Sequence, residues 1–246
     1  TQVIEFQNVF LGVENRRWIL SDNDSIPIVQ SKQVSTGLSY KHKGWLLCAD
    51  VFVKDVDGIT SQSQGFQNQF RLSNVNGSYD AFGFETLVYR KWNKLNLWLT
   101  YSYTNSDYTF KNFTPQKFPN NFELRHSLTI GSSYKLKDWH FSAGFNYRSG
   151  KPITRATSVS SNDGRIQFSE ANASTLEDYF RFDVSSTYTF KISSRLKGHA
   201  GVSLWNILST NNTINQYYQV SDSGQLLDIR QKSLGFTPNV SLRVLF

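Results

Sequence analysis

Apolar and polar residues alternate with a period of two through most of the chain. Leu95, Leu97, Leu99, Tyr101 and Tyr103 interleave with Asn96, Trp98, Thr100, Ser102 and Thr104. Successive side chains of a strand point to opposite faces, so this spacing predicts a strand with one apolar and one polar face. The pattern returns at Phe122, Leu124, His126, Leu128 and Ile130, and again at Trp139, Phe141, Ala143, Phe145 and Tyr147. It returns once more at Phe180, Phe182 and Val184, and the chain ends on Val240, Leu242, Val244 and Phe246. Strands are predicted at 31–40, 45–56, 77–92, 95–110, 122–136, 139–149, 178–192, 196–208 and 236–246, with 1–10 as part of one more. Helical spacing competes nowhere, although 171–179 suits a short loop helix.

The connections carry as much information as the strands. Short turns fall at 41–44, 92–94, 136–138 and 193–195, and long polar connections at 57–76, 111–121, 150–177 and 209–235. Short and long alternate strictly, which places every long connection at one end of an antiparallel meander. A soluble sandwich has no reason for this asymmetry, whereas a transmembrane barrel has short periplasmic turns and longer outer loops. Many of the strands match or exceed the ~9–11 residues that cross a bilayer at a tilt.

The two faces differ accordingly. One is rich in Ser, Thr, Asn, Gly, Arg and Asp and suits a wet lumen. The other carries Leu, Val and Ile centrally, with Trp45, Trp92 and Trp139 beside the short turns, where an interfacial girdle sits. Leu97, Leu99, Leu128, Ile130, Phe141, Phe182 and Val184 are therefore expected to face lipid, and Ser127, Thr129 and Asn146 to face inward. The fold class is all-β: an antiparallel meander of about nine to ten strands forming part of a transmembrane outer-membrane barrel.

The chain has 246 residues, 15% of them aromatic and 18% charged, with a mean hydropathy of −0.43. Such aromatic content is too high for a disordered chain, and no apolar run is long enough for a membrane helix. The net charge of +7 invites a nucleic-acid partner, but the cations are scattered over the short turns, so none is expected. Cys48 is the one cysteine, which excludes an internal disulfide framework, and Met is absent, so a processed protein or a piece of one is expected.

Candidate chemistry is sparse. His42, His126, His140 and His199 show no paired metal-ligand spacing, and Asp55 to Gly58 lacks the continuation of a calcium loop. No metal, cofactor or enzymatic constellation is expected. The final strand, with Val240, Leu242 and Val244 leading to Phe246, resembles the assembly signal that outer-membrane insertion machinery reads by edge pairing.

Other segments carry a family resemblance. Gly44 to Leu47 through Lys54 to Thr60, Asn121 to His126, Phe141 to Thr154, Tyr179 to Val184 and Val202 to Leu208 resemble TonB-dependent outer-membrane receptors. The resemblance spans 1–246 and falls in the C-terminal part of such a barrel. It implies uptake of a scarce nutrient across a Gram-negative outer membrane: a ferric siderophore, a haem, cobalamin, or an oligosaccharide or peptide. It also implies partners, namely outer-membrane lipid, the barrel-assembly machinery, and the TonB complex, contacted through a plug-bearing part that these residues do not match. Such receptors have ~22 strands around a plugged lumen, so 1–246 is expected to be one incomplete domain, its first and last strands unpaired with each other.

Recognition is expected in the long connections and upper lumen, because loops on a rigid scaffold carry function. Phe110, Phe113, Phe118, Arg148, Arg155 and Arg181 are the contact candidates, with pairing of Arg181 and Asp183 in the lumen as the simpler role for that pair. A small complete barrel acting as a passive pore or adhesin is the competing reading.

Overall fold

The computed structural model describes residues 2–6, 15–22, 26–64, 66, 74–193 and 196–246. The strands are β1 (Gln2–Phe6), β2 (Asn15–Ile19), β3 (Gln30–His42), β4 (Trp45–Thr60), β5 (Asn76–Lys91), β6 (Leu95–Thr109), β7 (Lys117–Pro119), β8 (His126–Leu136) and β9 (Trp139–Arg148). After these come β10 (Pro152–Ile153), β11 (Ala156–Val159), β12 (Ile166–Phe168), β13 (Ser174–Thr175), β14 (Tyr179–Lys191), β15 (Lys197–Trp205), β16 (Thr213–Val220), β17 (Leu226–Lys232) and β18 (Thr237–Leu245). One 3-10 turn, Ser61–Gln64, follows β4, and no α-helix occurs among the described residues.

A single antiparallel sheet runs β3-β4-β5-β6-β8-β9-β14-β15-β18, with β7 also paired to β6. All nine strands predicted from the alternation are its members. Register turns that alternation into two continuous faces, because directly opposed residues share a side. One row runs Tyr40, Leu47, Val88, Leu99, Ile130, Phe145 and Phe182 across β3 to β14. Val202 opposes Val240, and Ala200 opposes Leu242, extending the same apolar face to β18. The seven residues expected to face lipid all lie on it, and Ser127, Thr129 and Asn146 lie on the other.

Nothing in the described chain covers the apolar face. Leu38 is 82%, Ile130 40% and Val240 83% exposed. An uncovered apolar surface this wide is untenable in water and is what a lipid-facing wall requires.

The short turns are tight for a local reason. Lys43 and Gly44 have φ of 43° and 82°, the left-handed pair that a two-residue hairpin with the sheet's own twist demands. A Cβ on Gly44 would also meet Lys91 O at 2.6 Å, so the glycine lets this turn dock on the next hairpin.

Several expectations need correction. The alternation through Phe122 and Leu124 does not extend the strand: β8 begins at His126. Asn120 accepts the Phe122 N–H through Oδ1 at 2.9 Å and turns the chain there, while the Glu123 carboxylate takes the Ser106 N–H at 2.8 Å in place of a ladder bond. The helix expected over 171–179 is absent; Ser174–Thr175 pairs with Pro152–Ile153, and Asn172 sits at φ 52°. Two long connections hold hairpins of their own, β11–β12 and β16–β17. Gln2–Phe6 pairs with Asn15–Ile19 apart from the main sheet, and the rest of the predicted strand 1–10 lies outside the described residues. β3 and β18 are each paired on one side only among the described residues.

Candidate functional site

The described parts of the four long connections lie at one end of the sheet, and three of these connections are joined by packing and hydrogen bonds. β6 overruns β8 by several residues, and β7 fills the vacant position beside it, with Phe118 opposite Tyr108. This folds the 110–121 connection onto the polar face. Tyr108, Phe110, Phe113, Phe118 and Phe66 pack with Val56, Ile59 and Ala171 into a buried cluster. The Phe110 and Phe113 rings stack at 4.9 Å, and Phe66 meets Tyr108 edge-on at 5.4 Å.

Phe110, Phe113 and Phe118, three of the contact candidates, are therefore held inside this cluster. They are 0%, 6% and 3% exposed. Aromatic residues in a polar connection found one another because burying such rings is worth far more than presenting them to water.

Polar ties link the connections above this cluster. Asn172 Nδ2 donates to Pro119 O and to Asn121 Oδ1, both at 2.7 Å. Asn121 Nδ2 donates in turn to Gln64 O at 3.0 Å, and the Tyr108 hydroxyl donates to Gln64 Oε1 at 3.0 Å. Glu123 is buried and held by Arg125 at 2.8 Å.

Beside these ties lies a cavity of about 160 Å³ whose walls come from three connections. Asn121, Lys151, Asn172, Asn215, Tyr217 and Tyr218 line it. Lys151 Nζ reaches Asn215 Oδ1 at 3.5 Å, so an ammonium sits at the wall among amides and phenols. Burial pushes the Tyr218 hydroxyl above the usual tyrosine range, Asp228 adds to this, and Arg155 and Arg230 oppose it. Chemically, the set offers one cation, one remaining amide hydrogen each on Asn121 and Asn215, and two phenol rings, suited to an oxygen-rich, partly anionic guest.

The sequence candidates distribute unevenly around it. Arg155 is exposed and close enough to Tyr218 to act on its hydroxyl. Arg148 lies over the Tyr179 ring at 4.4 Å. Arg181 pairs with Asp183 at 2.8 Å on its own strand and lies over Trp205 at 5.2 Å. Asp183 also accepts the Asn206 N–H at 2.8 Å, which ties the pair to the start of the last long connection. Lys151, Asn172, Asn215 and the two tyrosines were missed. For Asn215, Tyr217 and Tyr218 the signal was the Asp222-Ser223-Gly224 turn between alternating stretches, a hairpin mark.

Among the histidines, His126 Nδ1 pairs with the Tyr101 hydroxyl at 2.9 Å and His199 Nδ1 with Thr189 Oγ1 at 3.0 Å. The predicted assembly signal occupies β18, where Val240, Leu242 and Val244 lie on the apolar face.

A meander with one uncovered apolar face, a polar inner face and structured connections gathered at one end is the wall of an outer-membrane transmembrane barrel. Residues 20–207 match the family described as TonB dependent receptor-like, beta-barrel, and the chain belongs to that family. It is one of Gram-negative outer-membrane receptors. Similar solved structures include the ferric citrate transporter FecA in its unliganded form, with 15% identity and a TM-score of 0.64, over 87% of this chain and 31% of that one. The ferric yersiniabactin uptake receptor FyuA from Yersinia pestis matches at 15% identity and a TM-score of 0.61, over 88% and 29%. The FrpB iron transporter from Neisseria meningitidis matches at 14% and 0.58, over 91% and 32%. The chain thus spans about a third of the length of these proteins. No curated protein matches it.

Proposed function

We propose that this chain is part of the wall and outer vestibule of a receptor that takes up a scarce nutrient across the outer membrane, energised by the TonB complex. The open edges of β3 and β18 are then completed by further strands, since a sheet in hydrocarbon cannot leave its N–H and C=O groups unpaired. β18 serves as the edge read by the barrel-assembly machinery. The cavity walled by Lys151, Asn172, Asn215, Tyr217 and Tyr218 is the observation that carries the reading: three connections converge on one polar and aromatic recess. Lys151 in its wall, with Arg155 beside Tyr218 and Arg148 at the strand end, favours an oxygen-rich anionic cargo. A ferric chelate fits this chemistry, and the similar solved structures named above are iron transporters and receptors. Cobalamin and uncharged oligosaccharide cargoes meet the recess with less charge complementarity.

Uptake of labelled ferric chelates by cells carrying or lacking the full-length protein tests this directly. Accumulation is expected only with the protein present, and it is expected to collapse when the proton-motive force is dissipated. Flux that persists without that force, and that rises linearly with solute concentration, would favour the passive pore.

A further inference from the structure

At the opposite end of the sheet, Arg90 is held between two indoles. Its guanidinium carbon lies 4.7 Å from the Trp45 ring and 5.0 Å from the Trp92 ring. Nη1 donates to Lys43 O at 2.7 Å, which ties it to the neighbouring hairpin turn. Nε is buried without a hydrogen-bond partner, and Arg90 makes no ion pair among the described residues. Register puts Arg90 opposite Trp45 and Leu97, on the apolar face. A permanent cation therefore stands on the lipid-facing side at the membrane edge with no carboxylate to balance it.

Its surroundings do not supply the missing anion. The segments 41–45, 90–95 and 135–139 contain six lysines besides Arg90, against Asp138 alone. The acids gather at the other end: Asp55, Asp80 and Asp107 oppose one another across β4, β5 and β6. The short-turn rim is thus strongly positive, and a bilayer leaflet containing anionic headgroups complements it. The two indoles are 40% and 42% exposed, so the clamp is reachable from the lipid side. Leu47, Val88 and Leu99 continue the same face inward from it, as a path for acyl chains.

We propose that Arg90, clamped by Trp45 and Trp92, is a binding site for the phosphate of an anionic phospholipid in the leaflet at the short-turn end. Nη2, free of the Lys43 tie, donates to the phosphate, while the indoles hold the guanidinium flat and the lysine rim adds long-range attraction. Planarity and persistent charge suit Arg to this task better than Lys. The site rests on the sheet being a membrane wall, and not on transport, so loss of uptake and loss of lipid binding are separate results.

The test is native mass spectrometry of the full-length protein in non-ionic detergent, offered equal amounts of dioleoylphosphatidylglycerol and dioleoylphosphatidylcholine. The wild type is expected to retain the phosphatidylglycerol by about fivefold or more, the preference that one cation at a membrane surface confers. Arg90→Gln is expected to abolish that preference, whereas Lys111→Gln, in a long connection, leaves it intact. Equal retention of the two lipids by the wild type overturns the proposal, as does undiminished preference in Arg90→Gln. Displacement of the lipid by millimolar inorganic phosphate also overturns it, because the site then reads phosphate alone. Should Arg90→Gln fail to show the heat-modifiable migration of a folded barrel, the wild-type comparison and Trp92→Leu decide, the latter expected to lose the preference.

Discussion

Asn172 donates a 2.7 Å hydrogen bond to Asn121, joining the connection after β9 to the one after β6. The same amide nitrogen reaches Pro119 O at 2.7 Å, and Thr154 Oγ1 donates to Asn172 Oδ1 at 3.1 Å. Asn172 is buried, so removing its amide leaves partners unsatisfied at about 1–3 kcal/mol. Asn172→Ala is expected to loosen residues 149–178 and to speed their proteolysis and amide exchange, with the barrel wall unaffected. Unchanged exchange in that connection would show that the tie does not organise the vestibule.

The aromatic cluster below it makes a sharper claim. Phe110→Ala removes a fully buried ring, and such truncations cost about 3–5 kcal/mol. The loss is expected to be local: faster amide exchange at 107–119, with heat-modifiable migration preserved. Weakened cargo binding in this variant would follow from disorder of the vestibule. A variant that binds cargo poorly while its exchange pattern stays native would instead return Phe110 to direct contact.

On the inner face, the Trp98 indole lies across Gly131, its partner in the register. A Cβ at Gly131 would come within 2.1 Å of that ring. Gly131→Val is expected to lower stability by about 1–3 kcal/mol through overpacking. Adding Trp98→Ala should recover most of the loss, read in urea unfolding. No recovery in the double variant would mean that the backbone at Gly131, and not the indole, sets the requirement.

Tyr218 gives a pH expectation with a definite sign. Its hydroxyl is pushed up, burial being the main cause. In the unfolded chain it loses its proton near the ordinary value of about 10, before the folded state does. The unfolded state then holds fewer protons, so this group's contribution to stability falls as pH rises past that value. Tyr218→Phe is expected to flatten the alkaline decline of the β16–β17 hairpin, followed by amide exchange. An unaltered decline would assign it to other groups.

Lys151→Gln and Arg155→Gln are each expected to weaken binding of an anionic ferric chelate several-fold while leaving insertion intact. Binding isotherms on membranes containing the full-length protein measure this. Equal affinity in both variants would remove the cationic wall from the recognition model.

The wall of the barrel was legible in the chain because lipid and lumen impose opposite demands on alternate residues. Leu97, Leu99 and Ile130 announce one face, and Ser102, Thr129 and Asn146 the other, with no tertiary knowledge needed. The failures share one cause. Phe122 and Leu124 continue the period, but a side-chain bond from Glu123 replaces the ladder there, and periodicity is blind to such substitution. Phe110, Phe113 and Phe118 stood out as contact candidates, but their burial was not legible in the local sequence. Their burial depends on Phe66, Val56 and Ala171, which come from distant segments. Lys151 and Asn215, 64 positions apart, meet for the same reason. Local pattern carries the strand, and only the assembled sheet end carries the site.

Oxygen and nickel-chelate accessibility of spin labels along β6 tests the central claim most directly. Single cysteines at positions 97 to 102, placed in full-length protein carrying Cys48→Ser, would be labelled and measured in lipid bilayers. Labels at Leu97, Leu99 and Tyr101 are expected to be rich in oxygen contact and shielded from the chelate, with the reverse at Trp98, Thr100 and Ser102. The opposite phase, or an accessibility without a period of two, would contradict the assignment of the apolar face to lipid.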